Sequence, residues 1–347
     1  MMIDPVLAAI DEAAEALEQR SDDRWILGYS GGKDSTATLK VLLSAWNLAK
    51  TKPAHLELIY CDTGVENQIL DKYIKRQLDE INAEADSSGL PLQTRVLRAP
   101  VQESFFVKII GRGYPPPTNS FRWCTKALRI NPVSEYLKSA AAENAVVTLG
   151  LRKDESRQRA HSIEKNGAGK WQRQMESTFS YDVYLPILDL DIPAVWDAIF
   201  GLSKPEAIAP LELEELYRGA SGECPIIKSP QSAPCGSGRF GCWTCTVVRK
   251  DRSAQKLIEA GHSELTPFLN FRNWLSEFRN SPEARWKNRR NGSEGMGPFT
   301  MDARHEILRR VDELEDMTRT EIITPAERGL IAALWRFDDV PRLSFKV

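Results

Sequence analysis

Sulfur, imidazole and net charge are all scarce in this chain. Its 347 residues include six cysteines and four histidines, and 46 Lys and Arg against 48 Asp and Glu leave a formal charge of -2. So few cysteines cannot staple a protein of this length, which excludes a disulfide scaffold. A charge near zero excludes a uniformly basic coat, so any polyanion must bind locally. No apolar run is long enough to span a bilayer. The opening "MMIDPVLAAIDEAAEALEQR" carries acids through its apolar pattern and shows neither a basic leader nor an apolar signal core. It reads as an amphipathic helix, and a cytoplasmic protein without membrane association is expected.

What is present is a globular composition, 42% hydrophobic and 27% charged, at a length that suggests about two domains. Strand-like runs recur at "WILGYS", "HLELIYCD", "LQTRVLRA" and "NAVVTLG", separated by amphipathic helical segments such as "TATLKVLLSAWNLAK" and "NQILDKYIKRQLDEINAEA". This alternation predicts an α/β fold, a mostly parallel sheet flanked by helices, with ligands at the carboxyl ends of the strands. "SGGKDS", "CDTG" and "GLRKDESRQR" fall at such ends. The polar stretch 160–180, "AHSIEKNGAGKWQRQMESTFS", reads as a loop and a candidate lid. Composition shifts again near Gly219, into a turn-rich segment that needs something other than a core to order it. From about Ser253 four helices follow. Two domains are expected, 1–220 and 221–347, the second a cysteine-rich and helical C-terminal region.

In "SGGKDS", Gly31 and Gly32 let the backbone approach an anion, and the helix that follows offers unpaired amides and the positive end of its dipole. Ser30 and Ser35 supply hydroxyls and Lys33 a compact charge, with Asp34 and Thr36 directly alongside. The spacing matches neither the Walker A loop nor the dinucleotide fingerprint. The bland alternative is a glycine turn that only caps a helix. For Arg152 and Arg157 it is a solvated charge run paired with Asp154 and Glu155.

Four cysteines, Cys224, Cys235, Cys242 and Cys245, stand in a C-x10-C-x6-C-x2-C arrangement within "CPIIKSPQSAPCGSGRFGCWTC". The last pair can ligate one metal centre, with zinc and iron-sulfur both open, and a redox dithiol as a third reading. Cys124 lies apart in "NSFRWCTKALRINP", where Arg122, Lys126 and Arg129 would favour its thiolate if they surround it. It is a candidate sulfur carrier, or a further cluster ligand. Cys61 follows an apolar strand and reads as a core thiol. The stretch "FRNSPEARWKNRRNG", 278–292, interleaves cations with Trp286, as a nucleic-acid backbone patch or as a solvated helix face.

"SGGKDS" resembles the pyrophosphate loop of the ATP pyrophosphatases, which cleave ATP between its α and β phosphates. "DTG" at Asp62 to Gly64, "GLRKDESRQR" from Gly150 and "PILDLDIPAVWDAI" from Pro186 resemble the phosphoadenylylsulfate reductase branch of that class. "RFGCWTCTVVRKDRS", "LTPFLNFRNWL" and "GPFTMDARHEILRRV" closely resemble the DndC family of DNA phosphorothioation proteins. The resemblance implies an adenine-nucleotide alpha-hydrolase-like fold and ATP held by Ser30, Gly31, Gly32, Lys33, Asp34 and Ser35, with Thr36 and Gly150 in the same set. Asp62 would lie near magnesium or the nucleotide, and Arg152 with Arg157 near the phosphates or the second substrate. It also favours an iron-sulfur cluster, 4Fe-4S, on the four clustered cysteines, although the reductase branch carries two adjacent cysteines where Cys124 stands alone. The implied activity is sulfur transfer to the DNA backbone, with a cysteine desulfurase and other phosphorothioation proteins as partners. A reductase of adenylylated sulfate, a tRNA thiolase and a non-enzymatic DNA-binding scaffold are the rivals.

Overall fold

The computed structural model describes residues 4–141, 144–153, 169–176, 178–221 and 241–339. The chain divides into two compact units, one drawn from residues 1–61, 69–97 and 133–240, the other from 62–68, 98–132 and 241–347. The composition boundary near residue 220 is therefore not the only crossing point. The segments 62–68 and 98–132 join the second unit from within the first half of the chain.

The first unit is built on a six-stranded sheet in the order β3-β2-β1-β4-β6-β5, from β1 (Arg24–Gly28), β2 (Leu56–Asp62), β3 (Leu92–Arg98), β4 (Ala145–Thr148), β5 (Trp171–Met175) and β6 (Ser180–Tyr184). β1 pairs in parallel with β2 and β4, and β4 with β6, while β5 runs antiparallel to β6. Trp25, Ile26 and Leu27 of β1 are completely buried, as an apolar strand covered on both faces must be. Helix α1 (Pro5–Gln19), capped by Asp4, turns its apolar residues onto α2 (Lys33–Leu48) and the later helix α6 (Ile192–Gly201). Asp191 caps α6 through the Ala194 amide, with proline in its first turn.

The expected loop 160–180 contains a strand instead: Trp171–Met175 alternates in burial and pairs residue for residue with β6. Edge-strand hydrogen bonding recruited a stretch too polar to announce itself. From β1 the chain winds to β2 and β3 on one side and returns to β4 on the other. The order reverses between β1 and β4, where ligands of open α/β sheets gather.

The second unit holds α4 (Trp123–Thr125) and a π turn Lys126–Ile130, from which the chain enters α5 (Asn131–Ala141), a helix that belongs to the first unit from Val133 onward. The second unit also holds α8 (Arg252–Glu259), α9 (Thr266–Phe278), α10 (Met301–Thr318) and α11 (Pro325–Asp339). The first unit completes its helices with α3 (Gln68–Ser88) and α7 (Pro210–Ser221). The second unit's core is aromatic: Phe105, Phe106, Trp243, Phe268, Phe271 and Phe299 are buried together. No helix among the described residues is long and apolar enough to cross a membrane.

Candidate functional site: a phosphate loop and a cysteine turn

The phosphate loop sits at the end of β1. Gly31 has φ +68°, and a β-carbon there would fall 2.3 Å from Ile74 Cγ1, so glycine is required on both conformational and steric grounds. The loop is tied to the first turn of α2. Ser35 Oγ accepts from the Ser30 amide at 3.2 Å and donates to the Gly32 carbonyl at 2.9 Å. The Lys33 amide donates to the Tyr217 hydroxyl at 3.0 Å. Thr36 is completely buried behind the loop.

Arg152, from the segment after β4, is 1% exposed and donates Nε to Asp34 Oδ1 at 2.7 Å, while Lys33 Nζ reaches Asp34 Oδ2 at 2.7 Å. Burial alone would raise the Asp34 pKa, but Lys33 and Arg152 outweigh it and hold the carboxyl below its ordinary range. Arg152 is thus not part of a solvated charge run. Gly150 fits against this turn so closely that a β-carbon would lie 2.7 Å from the Asp34 carbonyl oxygen and 2.9 Å from the Ser35 amide nitrogen. The ends of β1 and β4 thereby place two cations, a carboxylate and a helix N-terminus at one point, which suits an anion of several charges. Arg157 lies outside the described residues.

The second centre belongs wholly to the second unit. Trp243 sets its edge against Phe268 at 5.1 Å and Phe271 at 5.7 Å, anchoring the turn that carries Cys242 and Cys245. The Cys245 amide donates to the Cys242 carbonyl at 3.0 Å, and the Trp243 amide to Val65 at 3.0 Å. Two arginines collar the turn through its carbonyls: Arg272 Nε to Cys245 at 2.8 Å, and Arg279 Nη1 to Thr246 at 3.2 Å. Burial, then the Glu66 carboxylate, push the Cys242 thiol up to about 12, partly offset by Arg129 and the Thr63 hydroxyl 3.6 Å from its sulfur. Arg129 also donates to Glu66 at 2.9 Å.

Cys124 is half-buried, and burial followed by neighbouring Cys245 raises its pKa, with Thr125 opposing. Two of the cations near it in sequence are engaged elsewhere, Arg129 with Glu66 and Arg122 with Asn119 at 2.9 Å, and the thiol's net shift is upward. Asp62 is buried at the end of β2, where Oδ2 accepts from Arg98 Nε at 3.0 Å and Nη2 at 2.7 Å, and Oδ1 from the Gly64 amide at 2.8 Å.

Cys224 and Cys235 lie outside the described residues. Among the described residues no group of three or more His, Cys, Asp or Glu side chains is placed to hold a metal ion. The chemistry of the donor set nevertheless fits a thiolate-ligated cluster. Two thiols, Cys242 and Cys245, share one tight turn.

Sequence reading missed Tyr217, Arg98, Glu66 and the collar of Arg272 and Arg279. Only Arg98 carried a signal, its place at a strand end. The rest arise from contacts between residues far apart in the chain.

The profile of the phosphoadenosine phosphosulfate reductase domain matches residues 24–248. Two uncharacterized proteins of Methanocaldococcus jannaschii are similar. One is 27% identical over 135 residues, covering 39% of this chain and 24% of that protein. The other is 29% identical over 173 residues, covering 50% of this chain and 34% of that protein. The chain spans about a quarter to a third of the length of these curated relatives. Among solved structures, FMN adenylyltransferase of Candida glabrata with FMN and the ATP analog AMPCPP is 13% identical, with a TM-score of 0.39, and the match covers 87% of this chain and 82% of that one.

Proposed function

Because the chain belongs to the phosphoadenosine phosphosulfate reductase domain family, we propose that it is a sulfurtransferase of DNA phosphorothioation. In this reading it uses ATP pyrophosphatase chemistry to activate a backbone phosphate. The observation that carries the first step is the phosphate loop. Lys33 and Arg152 outnumber Asp34 by one charge, and Gly31, Gly32 and Gly150 hold backbone close by. That surplus is suited to the charge that develops on departing pyrophosphate.

A non-bridging oxygen of a DNA phosphate would attack the α-phosphorus of ATP. The bond to the β-phosphate oxygen breaks, pyrophosphate leaves, and the DNA phosphate becomes joined to AMP. Ser30, Ser35 and the loop amides would orient the triphosphate. Asp34, held ionised, would fix Lys33 and Arg152 instead of accepting a proton. Asp62 would lie near the magnesium that accompanies the triphosphate.

The terminal sulfur of a Cys124 persulfide, charged by a cysteine desulfurase, would then attack the phosphorus, and AMP would leave with the bonding electrons. A second thiol would attack the Cys124 sulfur of the resulting P–S–S link, releasing the phosphorothioate and leaving a disulfide for an external dithiol to reduce. Cys224, Cys235, Cys242 and Cys245 would hold the 4Fe-4S cluster. When bound, it would tune or relay sulfur.

The test is pyrophosphate and AMP production from ATP by anaerobically purified protein, with and without DNA and the partner proteins of the pathway. Release that depends on DNA, followed by phosphorothioate in that DNA, is expected. Cys124→Ser should abolish sulfur incorporation and leave ATP binding intact; retained incorporation would reject the carrier role. Family membership itself favours a second reading, a reductase of an adenylylated sulfate, whose mark would be sulfite release without any change to DNA. Sulfur on a tRNA base instead of a DNA phosphate would mark a thiolase.

A further inference from the structure

The segment after α9 is not a helix face. Residues 285–299 fold into a hairpin: the Trp286 amide donates to Pro298 at 2.9 Å, Gly297 to Trp286 at 2.7 Å, Gly295 to Lys287 at 2.9 Å and Arg289 to Ser293 at 2.9 Å. Arg285 is buried beneath it, donating Nε to the Gly297 carbonyl at 2.5 Å and Nη1 to the Arg279 carbonyl at 2.9 Å. The hairpin is therefore braced from below.

Its outer side presents Trp286, 57% exposed, with Lys287, Arg289 and Arg290. Among the described residues none of these three cations pairs with a carboxylate. Helix α10 gives the contrast, since its Arg309 and Arg310 are answered by two carboxylates, Arg309 pairing with Glu306 and Glu313 and Arg310 with Glu306. The hairpin's own acid, Glu294 opposite Asn288, pairs with none of them among the described residues and leaves a positive surplus, and a large aromatic ring exposed beside that surplus suggests a partner with both phosphate and a flat apolar face.

The surface continues. The Arg290 guanidinium lies 4.6 Å over the Tyr114 ring and donates to the Arg112 carbonyl. Tyr114 stacks on Phe121, which is 44% exposed, and meets Trp123 edge-on at 5.7 Å. Cys124 follows directly. All of these residues belong to the second unit.

We infer that this strip is the DNA grip of the second unit. Lys287, Arg289 and Arg290 engage consecutive phosphates, one unstacked base lies on Trp286, and the strand is led along Tyr114 and Phe121 toward Cys124. The inference rests on DNA as the acceptor and goes beyond it by naming what holds the strand.

Fluorescence anisotropy of the full chain with labelled single-stranded and duplex DNA across a salt series tests it. Trp286→Ala should weaken single-stranded binding about tenfold with the salt slope unchanged. The double variant Lys287→Ala/Arg289→Ala should reduce the slope of log K against log salt by about 1.4 to 1.8, the loss of two phosphate contacts. Arg309→Ala/Arg310→Ala should change neither quantity, and an unchanged cooperative thermal unfolding profile for each variant reports an intact fold. Wild-type protein that binds DNA, with hairpin variants binding equally well, would overturn the grip and leave the acceptor standing. Wild-type protein that binds no DNA and releases sulfite would overturn the acceptor. Hairpin-dependent binding of RNA in preference to DNA would overturn DNA as the occupant.

Discussion

Asp34 in the first unit and Cys242 in the second are both partly buried acids, and their surroundings drive them in opposite directions. Burial disfavours the charged form of each. At Asp34 two cations within hydrogen-bonding distance reverse that effect and hold the carboxyl below its ordinary range. At Cys242 the Glu66 carboxylate adds to the effect of burial, Arg129, shared between that carboxylate at 2.9 Å and the Cys242 sulfur at 4.0 Å, offsets it only in part, and the thiol rises to about 12. The phosphate loop is thus electrostatically complete before any ligand arrives, with one positive charge to spare. The cysteine turn is shaped, but Arg129 and the Thr63 hydroxyl compensate a Cys242 thiolate only in part.

Arg152→Ala breaks this contrast with the largest effect. It removes the buried partner of a partly buried carboxylate that keeps Lys33, for which a loss of about 3 kcal/mol is expected, and pyrophosphate release should be lost with it. Cys242→Ala removes a partly buried neutral thiol and should lower stability by only about 1 kcal/mol. Denaturant unfolding at neutral pH compares them directly, and equal losses would show that the Asp34 pair is not a special term.

The same pair predicts a pH dependence. Asp34's folded pKa is depressed, so its contribution is fully present above the unfolded carboxylate range and is lost as pH falls through the folded pKa. Wild-type stability should therefore fall on acidification below pH about 4. In Arg152→Ala the depression weakens against unchanged burial, and the fall should be shallower.

Two glycines sharpen the comparison at intermediate scale. A β-carbon at Gly150 meets only backbone, at 2.7 to 2.9 Å from Asp34 and Ser35, whereas one at Gly241, beside Cys242, meets nothing within 4 Å. Gly150→Ala should displace the first turn of α2, costing about 1–3 kcal/mol of stability and weakening ATP binding measured by calorimetry. Gly241→Ala should be close to neutral in the same unfolding measurement.

These contacts also explain what the sequence made legible. The sheet and α2 were readable because apolar strands, glycine turns and amphipathic helices leave local patterns. The helices from Arg252 onward followed for the same reason. Arg152 could not be separated from its charged neighbours, because its partner lies 118 positions away. β5 was too polar to show a strand pattern, being held by edge pairing. The hairpin at 285–299 looked like a helix face because its stabilising donors are backbone groups and a buried arginine, neither of which has a spacing signature. The cations near Cys124 in sequence were misleading for a related reason: Glu66, from another part of the chain, takes Arg129.

The smallest expected effect concerns Tyr217, whose hydroxyl accepts from the Lys33 amide. That amide is one of the unpaired donors of the α2 N-terminus, the group a phosphate would also claim. Tyr217→Phe keeps the ring against Trp196 and leaves the amide without its acceptor, at a cost of about 1 kcal/mol in the free protein. If the triphosphate takes over the amide, ATP restores what the substitution removed, so the thermal shift on adding ATP should be larger in the variant than in the wild type. Equal shifts would mean that the amide stays with Tyr217 when nucleotide binds. The loop would then be complete in a stronger sense, with its cations and not this donor meeting the ligand.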